Sequence, residues 1–489
     1  LMSSRQSSIL FLIPSYFYIE EYQKSLLFDD IPLGTLQLSA VLKKRADVKT
    51  DIIDLRVESE KHRELTPTEP RKETFTSGLL KILEERDIQE FNYVGINCYT
   101  SFQYLQTKLI AEIIKEHFPH IKLIIGGYHV SGVPEDFHTT NSPFDIIITG
   151  EAEPSLLSLF NSTKNGKSGE RKFPLILNSN QIFDVNQLPF PDYELYLQRY
   201  PFKDKFRFEF FMSRGCPYQC AFCAQNYRFR SYNFTNFLDH FKRLMHLVDK
   251  FNPSFQKIGF ADQSFNRVEI SEKVLDYLIE HKLYERYHFS CQSRVETVAA
   301  NCSLIDKYKK ANMVVGYGFE TANNLLLREM HKTETPHKYK EGMVKILKNY
   351  KAEGVAYCRV NVLCGFPGEN SATFNETITF LERYALHENI QISPTLFANY
   401  PNVFVYGNMK YYEERFGTKF TDYWWKETSN PFKKSIPEKP SKDYEKKELI
   451  NDYRTAYTQI LKNFKRNTFA DLVSWKRFYN KWYEEMSQN

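Results

Sequence analysis

Residues 214–223 read RGCPYQCAFC and place three thiols, Cys216, Cys220 and Cys223, in the spacing C-x3-C-x2-C. Three thiolates in one loop can each ligate one iron of a [4Fe–4S] cluster, leaving a fourth iron open to another ligand. An open corner makes such a cluster a reaction site, whereas four cysteines would more simply hold an electron carrier. Structural zinc is the first alternative, but it wants four ligands with paired C-x2-C spacing, and no matching pair follows downstream. Unrelated core cysteines are the second. Against them, three of the chain's 8 cysteines fall within this one short run.

The loop follows the first of a series of apolar runs that alternate with amphipathic stretches. Strands are expected at 206–212, 257–261, 287–291, 313–319, 357–363 and 390–397, with helices at 236–250, 269–281, 301–310, 338–353 and 371–386. Six β/α units in about 190 residues fit a partial parallel barrel, and chemistry in such barrels gathers at the carboxyl ends of the strands. Read that way, the cysteine loop ends the first strand, Asp262 ends the second, and Arg294 closely follows the third. Glu320 ends the fourth, Cys364 with Gly365-Phe366-Pro367-Gly368-Glu369 ends the fifth, and Tyr400-Pro401 ends the sixth. Singly, a strand-end acid is most often a helix cap or a surface charge. One polar or turn-forming group at the same edge of every strand is a constellation.

Upstream, strands expected at 9–13, 50–53, 93–97, 122–125 and 145–148 alternate with helices at 33–44, 76–85, 105–117 and 154–159. This pattern predicts a doubly wound parallel sheet covered on both faces. Gly126-Gly127 directly follows an apolar strand, where such sheets bind ligands. Residues 161–172 are polar and rich in Lys, Gly and Ser, as a linker is, and 188–193 (LPFPDY) suit a rigid connector. Beyond about 405 the chain turns polar and aromatic, with Trp424, Trp425, Trp475 and Trp482. Residues 429–442 read as an extended linker, and 443–463 and 469–486 as helices of a small cap on the barrel. The division is then 1–165, a linker 166–204, the barrel 205–405 and a helical region 406–489.

Composition narrows the setting. The net charge of +5, from 65 basic and 60 acidic residues, is too mild to argue for nucleic acid. Cysteines scattered singly outside the loop are no disulfide framework and favour a reducing, cytoplasmic setting. The apolar opening run 9–17 contains Pro14 and is far shorter than a membrane span, so neither a membrane segment nor a secretory signal is expected. It is better read as a buried first strand. The 40 Phe and 32 Tyr imply an aromatic-rich core.

With Cys216, Cys220, Phe222 and Cys223 in the pattern C-x3-C-x-F-C at the mouth of a six-unit barrel, residues 205–405 resemble the radical S-adenosylmethionine (radical SAM) superfamily. The resemblance implies that the open iron binds the amino and carboxylate groups of S-adenosylmethionine. One-electron cleavage then yields a 5′-deoxyadenosyl radical, with flavodoxin or ferredoxin as donor. It also implies that Phe222, Asp262, Arg294 and Glu320 contact or position that cofactor; an Arg fork suits its carboxylate. The N-terminal 160 residues or so resemble the cobalamin-binding, Rossmann-like domain that precedes this barrel in a large subfamily. The matching pieces are Ile31-Pro32-Leu33-Gly34, Gly126-Gly127-Tyr128-His129 leading to Pro134-Glu135, and Gly150-Glu151-Ala152-Glu153. No D-x-H-x-x-G supplies an axial histidine, so cobalamin stays open. His129 lines such a pocket or simply positions the glycine loop.

Cys364 stands where relatives usually carry an aliphatic residue, and Cys358 lies six positions earlier on the same strand. With a side-chain period of two, both face one way. A thiol at the barrel mouth can return a hydrogen atom to an α-carbon radical, which inverts that centre. The expectation from this residue is an L-to-D peptide epimerase, resembling those that act on proteusin-type ribosomal precursor peptides. The plain alternative for Cys364 is a small buried apolar residue. The competing function is a cobalamin-dependent radical methyltransferase. A third reading, a non-catalytic peptide-binding or metal-sensing protein, sits poorly with retention of all three cluster cysteines beside Asp262, Arg294 and Glu320.

Overall fold

The computed structural model describes residues 6–17, 31–65, 72–162, 172–178, 181–200, 208–225, 227–251, 257–352, 357–428 and 431–462. Its first sheet holds β1 (Ser8–Ile13), β2 (Lys49–Asp54), β3 (Tyr93–Asn97), β4 (Lys122–Gly126), β5 (Ile146–Thr149) and β6 (Leu175–Asn178). The order is β2-β1-β3-β4-β5-β6, and every pair is parallel. The chain reverses direction across the sheet between β1 and β3, so the crevice at their carboxyl ends is the switch point where such sheets bind ligands.

Strand β1 shows why the sheet is covered on both sides. All six of its residues are buried. Ile9, Phe11 and Ile13 pack in one core with Leu36 and Leu156, while Leu10 and Leu12 pack in a second with Leu79 and Ile110. A strand buried on both faces reads as a continuous apolar run, which is what sets it apart from an amphipathic edge. Strand β6 lies in the segment expected to be linker and extends the first sheet beyond residue 165. Its side chains alternate between half-buried and exposed, so it carries little apolar signal.

The second sheet begins with β7 (Phe208–Phe210), followed by a two-residue hairpin pair, β8 (Ser213–Arg214) and β9 (Arg230–Ser231). It continues through β10 (Lys257–Phe260), β11 (His288–Ser293), β12 (Met313–Glu320), β13 (Cys358–Cys364) and β14 (Ile390–Leu396). The order β7-β10-β11-β12-β13-β14 is sequential and wholly parallel, the arrangement of a partial barrel. One set of alternate residues, including Phe208, Ile258, Phe289, Val315, Val360 and Ile392, packs into the core shared with the helices. The opposite set, among them Gln292, Gly316, Arg359 and Asn361, faces the lumen.

The connector is pinned to the first unit: Gln37 donates to the Pro189 carbonyl at 2.8 Å, and Lys43 pairs with Asp192 at 2.7 Å. The C-terminal region packs on both sheets rather than on the barrel alone. Trp424 and Trp425 sit in the core of the first unit, where Trp425 donates to Asp136 at 2.7 Å, while Leu449 and Tyr453 join the barrel core. Within the segment expected to be an extended linker, Pro431–Ser435 is a short helix, while the helix expected at 443–463 is present as Lys446–Lys462. The helix expected at 469–486, with Trp475 and Trp482, lies outside the described residues. Among the described residues no helix is long and apolar enough to cross a membrane.

Candidate active site

The cysteine loop leaves β8 through Gly215, whose φ of +75° is open to glycine above all. A Cβ there would lie 2.3 Å from the Tyr227 carbonyl oxygen, so the β8–β9 hairpin closes tightly over this point. Further along, Ala221 is clamped from both sides: its N–H donates to the Met330 carbonyl at 2.9 Å, and its carbonyl accepts from Val405 at 3.1 Å. Cys216, Cys220 and Cys223 are all half-buried and free of disulfides. Burial pushes the Cys223 thiol up to about 11 and raises Cys216 as well, and the neighbouring cysteines add to both shifts. Three soft donors in one loop with two basic side chains nearby suit an iron–sulfur cluster, which takes its cysteines as thiolates. Among the described residues no three His, Cys, Asp or Glu side chains close on one point as a single-ion site would.

Two basic residues underlie the loop. Arg294 donates from Nη1 to Cys220 Sγ at 3.4 Å and stacks over the Tyr218 ring with its guanidinium 3.9 Å from the centroid. The same guanidinium binds Glu296 at 2.8 Å and the Lys332 carbonyl. Lys332 is buried and donates to Glu320 Oε1 at 2.9 Å. Burial opposes its charge, but Glu320 and Cys220 beside it hold the ammonium above its ordinary value. Glu320 adopts φ +68° where β12 shifts register against β13, and the ion pair lies across Gly318. A Cβ on Gly318 would come within 2.7 Å of both charged atoms. Phe222 packs with Ala221, Met330 and Phe366, and the Lys332 ammonium sits 5.7 Å from its ring centroid. Arg294, Glu320 and Phe222 are thus brought together, and Lys332 completes the group. Nothing in the sequence marks Lys332, which reaches Glu320 from twelve residues downstream.

Asp262 sits on the other flank of the loop. It is buried and accepts from the Met212 N–H at 2.9 Å and from the Ser213 hydroxyl, so it holds the backbone that launches the cysteines. Burial pushes its carboxyl up to about 6, against those two hydrogen bonds.

A cavity of about 500 Å³ joins the two units. On one side it is floored by Gly34, Gly95, Gly126, Gly127 and Gly150 at the carboxyl edge of the first sheet. Gly127, at φ +121°, cannot be replaced: a Cβ would lie 2.3 Å from the Cys98 carbonyl oxygen. On the other side the cavity runs into the barrel lumen past Asp262, Gln292, Gly316 and Arg359. Tyr99, Tyr128 and Tyr227 line the wall, with ring centroids 5.2 and 5.4 Å apart along the series. Gln225, just beyond Cys223, donates to the Tyr128 hydroxyl at 2.7 Å and ties the glycine edge to the cysteine loop.

Residues 210–381 match the model of the Radical SAM superfamily. The barrel is a radical SAM domain. Such a domain implies a [4Fe–4S] cluster and S-adenosylmethionine as cofactors. In sequence the chain is similar to an uncharacterized methyltransferase of Pyrococcus horikoshii, 24% identical over 72% of this chain and 73% of that protein. In structure it is similar to the radical S-adenosylmethionine methyltransferase TsrM from Kitasatospora setae, solved with cobalamin and a [4Fe–4S] cluster bound. The TM-score is 0.59 at 14% identity, over 82% of this chain and 77% of that one. It is also similar to the cobalamin-dependent S-adenosylmethionine radical enzyme OxsB, with TM-score 0.56 at 16% identity over 84% of this chain. The alignment spans only 56% of OxsB. At these identities the structural likeness is one of fold.

Cys364 does not reach the lumen of the radical SAM domain. Cys358, Val360, Val362 and Cys364 share the face packed against the helices, while Arg359, Asn361 and Leu363 alternate with them on the other. Cys364 is 1% exposed, and the C-terminal region covers it: Tyr444 is beside it, and Leu449 packs over Gly365. The equal parity of the two cysteines holds, but it points them away from the cavity, so the hydrogen-donor role expected of Cys364 lacks its geometry. His129 is also off the cavity. Its Nδ1 bonds Ser101 Oγ at 2.8 Å, Tyr104, Phe137 and Trp425 surround its ring, and burial lowers it to about 3, so it stays neutral.

Proposed function

We propose that this chain is a cobalamin-dependent radical SAM methyltransferase. The observation that carries the reading is the single cavity that joins the glycine edge of the first sheet to the lumen beneath the cysteine loop. Glycines at a switch point leave room for a broad ligand to lie close against the backbone, and here five of them line the side that faces the barrel. In this reading Cys216, Cys220 and Cys223 hold the cluster. Arg294 and the Glu320–Lys332 pair support its loop from below, Phe222 packs under it, and Asp262 fixes its start. The first unit, through β6, holds cobalamin, and the C-terminal helices lock the two units together.

When bound, the cluster and S-adenosylmethionine supply a 5′-deoxyadenosyl radical, and cobalamin supplies a methyl group for carbon. The chain's own part is to enclose the lumen and keep its polar groups aimed at the substrate. The names of the relatives, methyltransferases and cobalamin-dependent enzymes, lend support. A one-electron donor of the flavodoxin or ferredoxin class is required, and a peptide remains one candidate substrate. The test is turnover of reconstituted enzyme in heavy water. A product that gains the mass of a methyl group supports the reading, and one that gains a single deuterium at an inverted carbon refutes it.

A further inference from the structure

The lumen of the barrel carries a cation, Arg359, that makes no ion pair among the described residues, although Glu209 and Asp262 line the same cavity. Two cationic side chains line the cavity, Arg214 and Arg359. Arg214 is neutralised by Glu153 at 2.7 Å. Arg359 is held differently: its Nε donates to the Gln391 amide oxygen at 3.0 Å, and among the described residues it makes no ion pair. That one bond fixes the plane of the guanidinium and leaves both Nη atoms for another acceptor.

The surroundings are shaped to the same end. Arg359 is paired in register with Gly316, and Gly316 with Gln292, so the three stand in one row across β13, β12 and β11. Gly316 leaves the gap that the Gln292 amide occupies, since a Cβ there would lie 2.4 Å from the amide oxygen and would push that side chain aside. Asn361 donates to that same oxygen at 2.9 Å, which orients Gln292 and leaves its NH2 group as a second donor on the row. A half-buried guanidinium and an oriented amide, separated by a glycine gap, form a site for an oxyanion. An arginine fork takes a carboxylate or a phosphate through two parallel hydrogen bonds.

We propose that Arg359, with Gln292, binds an anionic group of the substrate, a carboxylate or a phosphate, and so restricts the enzyme to anionic substrates. This rests on the lumen being where substrate sits, as in the function proposed above. The site itself needs neither cluster nor cobalamin to be tested.

The experiment is chemical modification of Arg359 by phenylglyoxal in the reconstituted full-length protein, followed by peptide mass mapping. Glutarate, inorganic phosphate and chloride at matched ionic strength are the probes. Arg359 is expected to react in the absence of these anions. Its rate should fall about tenfold when glutarate or phosphate is present at about ten times its dissociation constant, because only the free site reacts. Whichever protects better names the group. In Gln292→Leu, protection should weaken at the same anion concentration. Failure of Arg359 to react at all, equal rates with and without both oxyanions, or equal protection by chloride overturns the proposal. Unchanged protection in Gln292→Leu removes Gln292 from the site. A protein that shows protection yet carries no cobalamin would defeat the function proposed above and leave this site standing.

Discussion

Replacing Lys332 by methionine should loosen the barrel wall beneath the cysteine loop. Lys332 and Glu320 form a buried pair at 2.9 Å, with side chains 6% and 10% exposed. Breaking such a pair by removing one partner costs about 3–5 kcal/mol, chiefly because the other charge is left buried alone. The backbone carbonyl of Lys332 still accepts from Arg294, so the loss is confined to the ammonium. At 1.36 kcal/mol per factor of ten, amides of β12 should exchange with solvent about two to four orders of magnitude faster. Hydrogen exchange of the peptide spanning Met313–Glu320, read by mass spectrometry, measures this. The double variant Lys332→Met/Glu320→Met removes both charges and should return exchange to within about tenfold of wild type, since buried pairs replaced by apolar residues are often neutral. If Lys332→Met exchanges like wild type, or the double variant is as loose as the single one, the pair does not hold the wall.

Two further outcomes follow from other buried groups. Burial pushes Glu369 from its ordinary 4.5 up to about 8, against a hydrogen bond from the Gly365 N–H. A folded value raised in this way favours the protonated form, so its stabilisation is complete below about pH 4.5 and is lost as pH rises through about 8. The thermal midpoint of wild type should therefore fall relative to Glu369→Gln across that window; parallel curves would show that Glu369 is not buried as described. Cys364→Ala should lower stability by about 1 kcal/mol and leave S-adenosylmethionine cleavage and the product unchanged. Loss of product with cleavage intact would restore the thiol to the chemistry.

Much of this architecture was legible in the chain. Strand β3 falls on the residues that periodicity marks, and the other long strands agree to within a few positions: β1 is an unbroken apolar run, and barrel strands such as β13 alternate core-facing apolar residues with lumen-facing polar ones. Strand β6 was not legible: exposed at an edge, it lacks such a run. The ring of strand-end residues was visible as types at positions, but their partners were not. That Glu320 meets Lys332, and that Asp262 serves the backbone of Met212 and Ser213, depends on how the loops fold back. Cys364 marks the sharpest limit. Alternation says that Cys358 and Cys364 share a face, but only the packing of Tyr444 and Leu449 shows that this face is the outer one. By the same parity Arg359 becomes the residue that looks inward.

In the proposed reading one cavity serves two cofactors. Its most direct test is to measure iron and cobalamin together in protein purified and reconstituted under anaerobic conditions, for wild type and for Cys216→Ala. Wild type should bind both, with the absorption bands of each, and Cys216→Ala should lose the iron and S-adenosylmethionine cleavage while it keeps the cobalamin. Wild type that holds a cluster but takes up no cobalamin would contradict that reading.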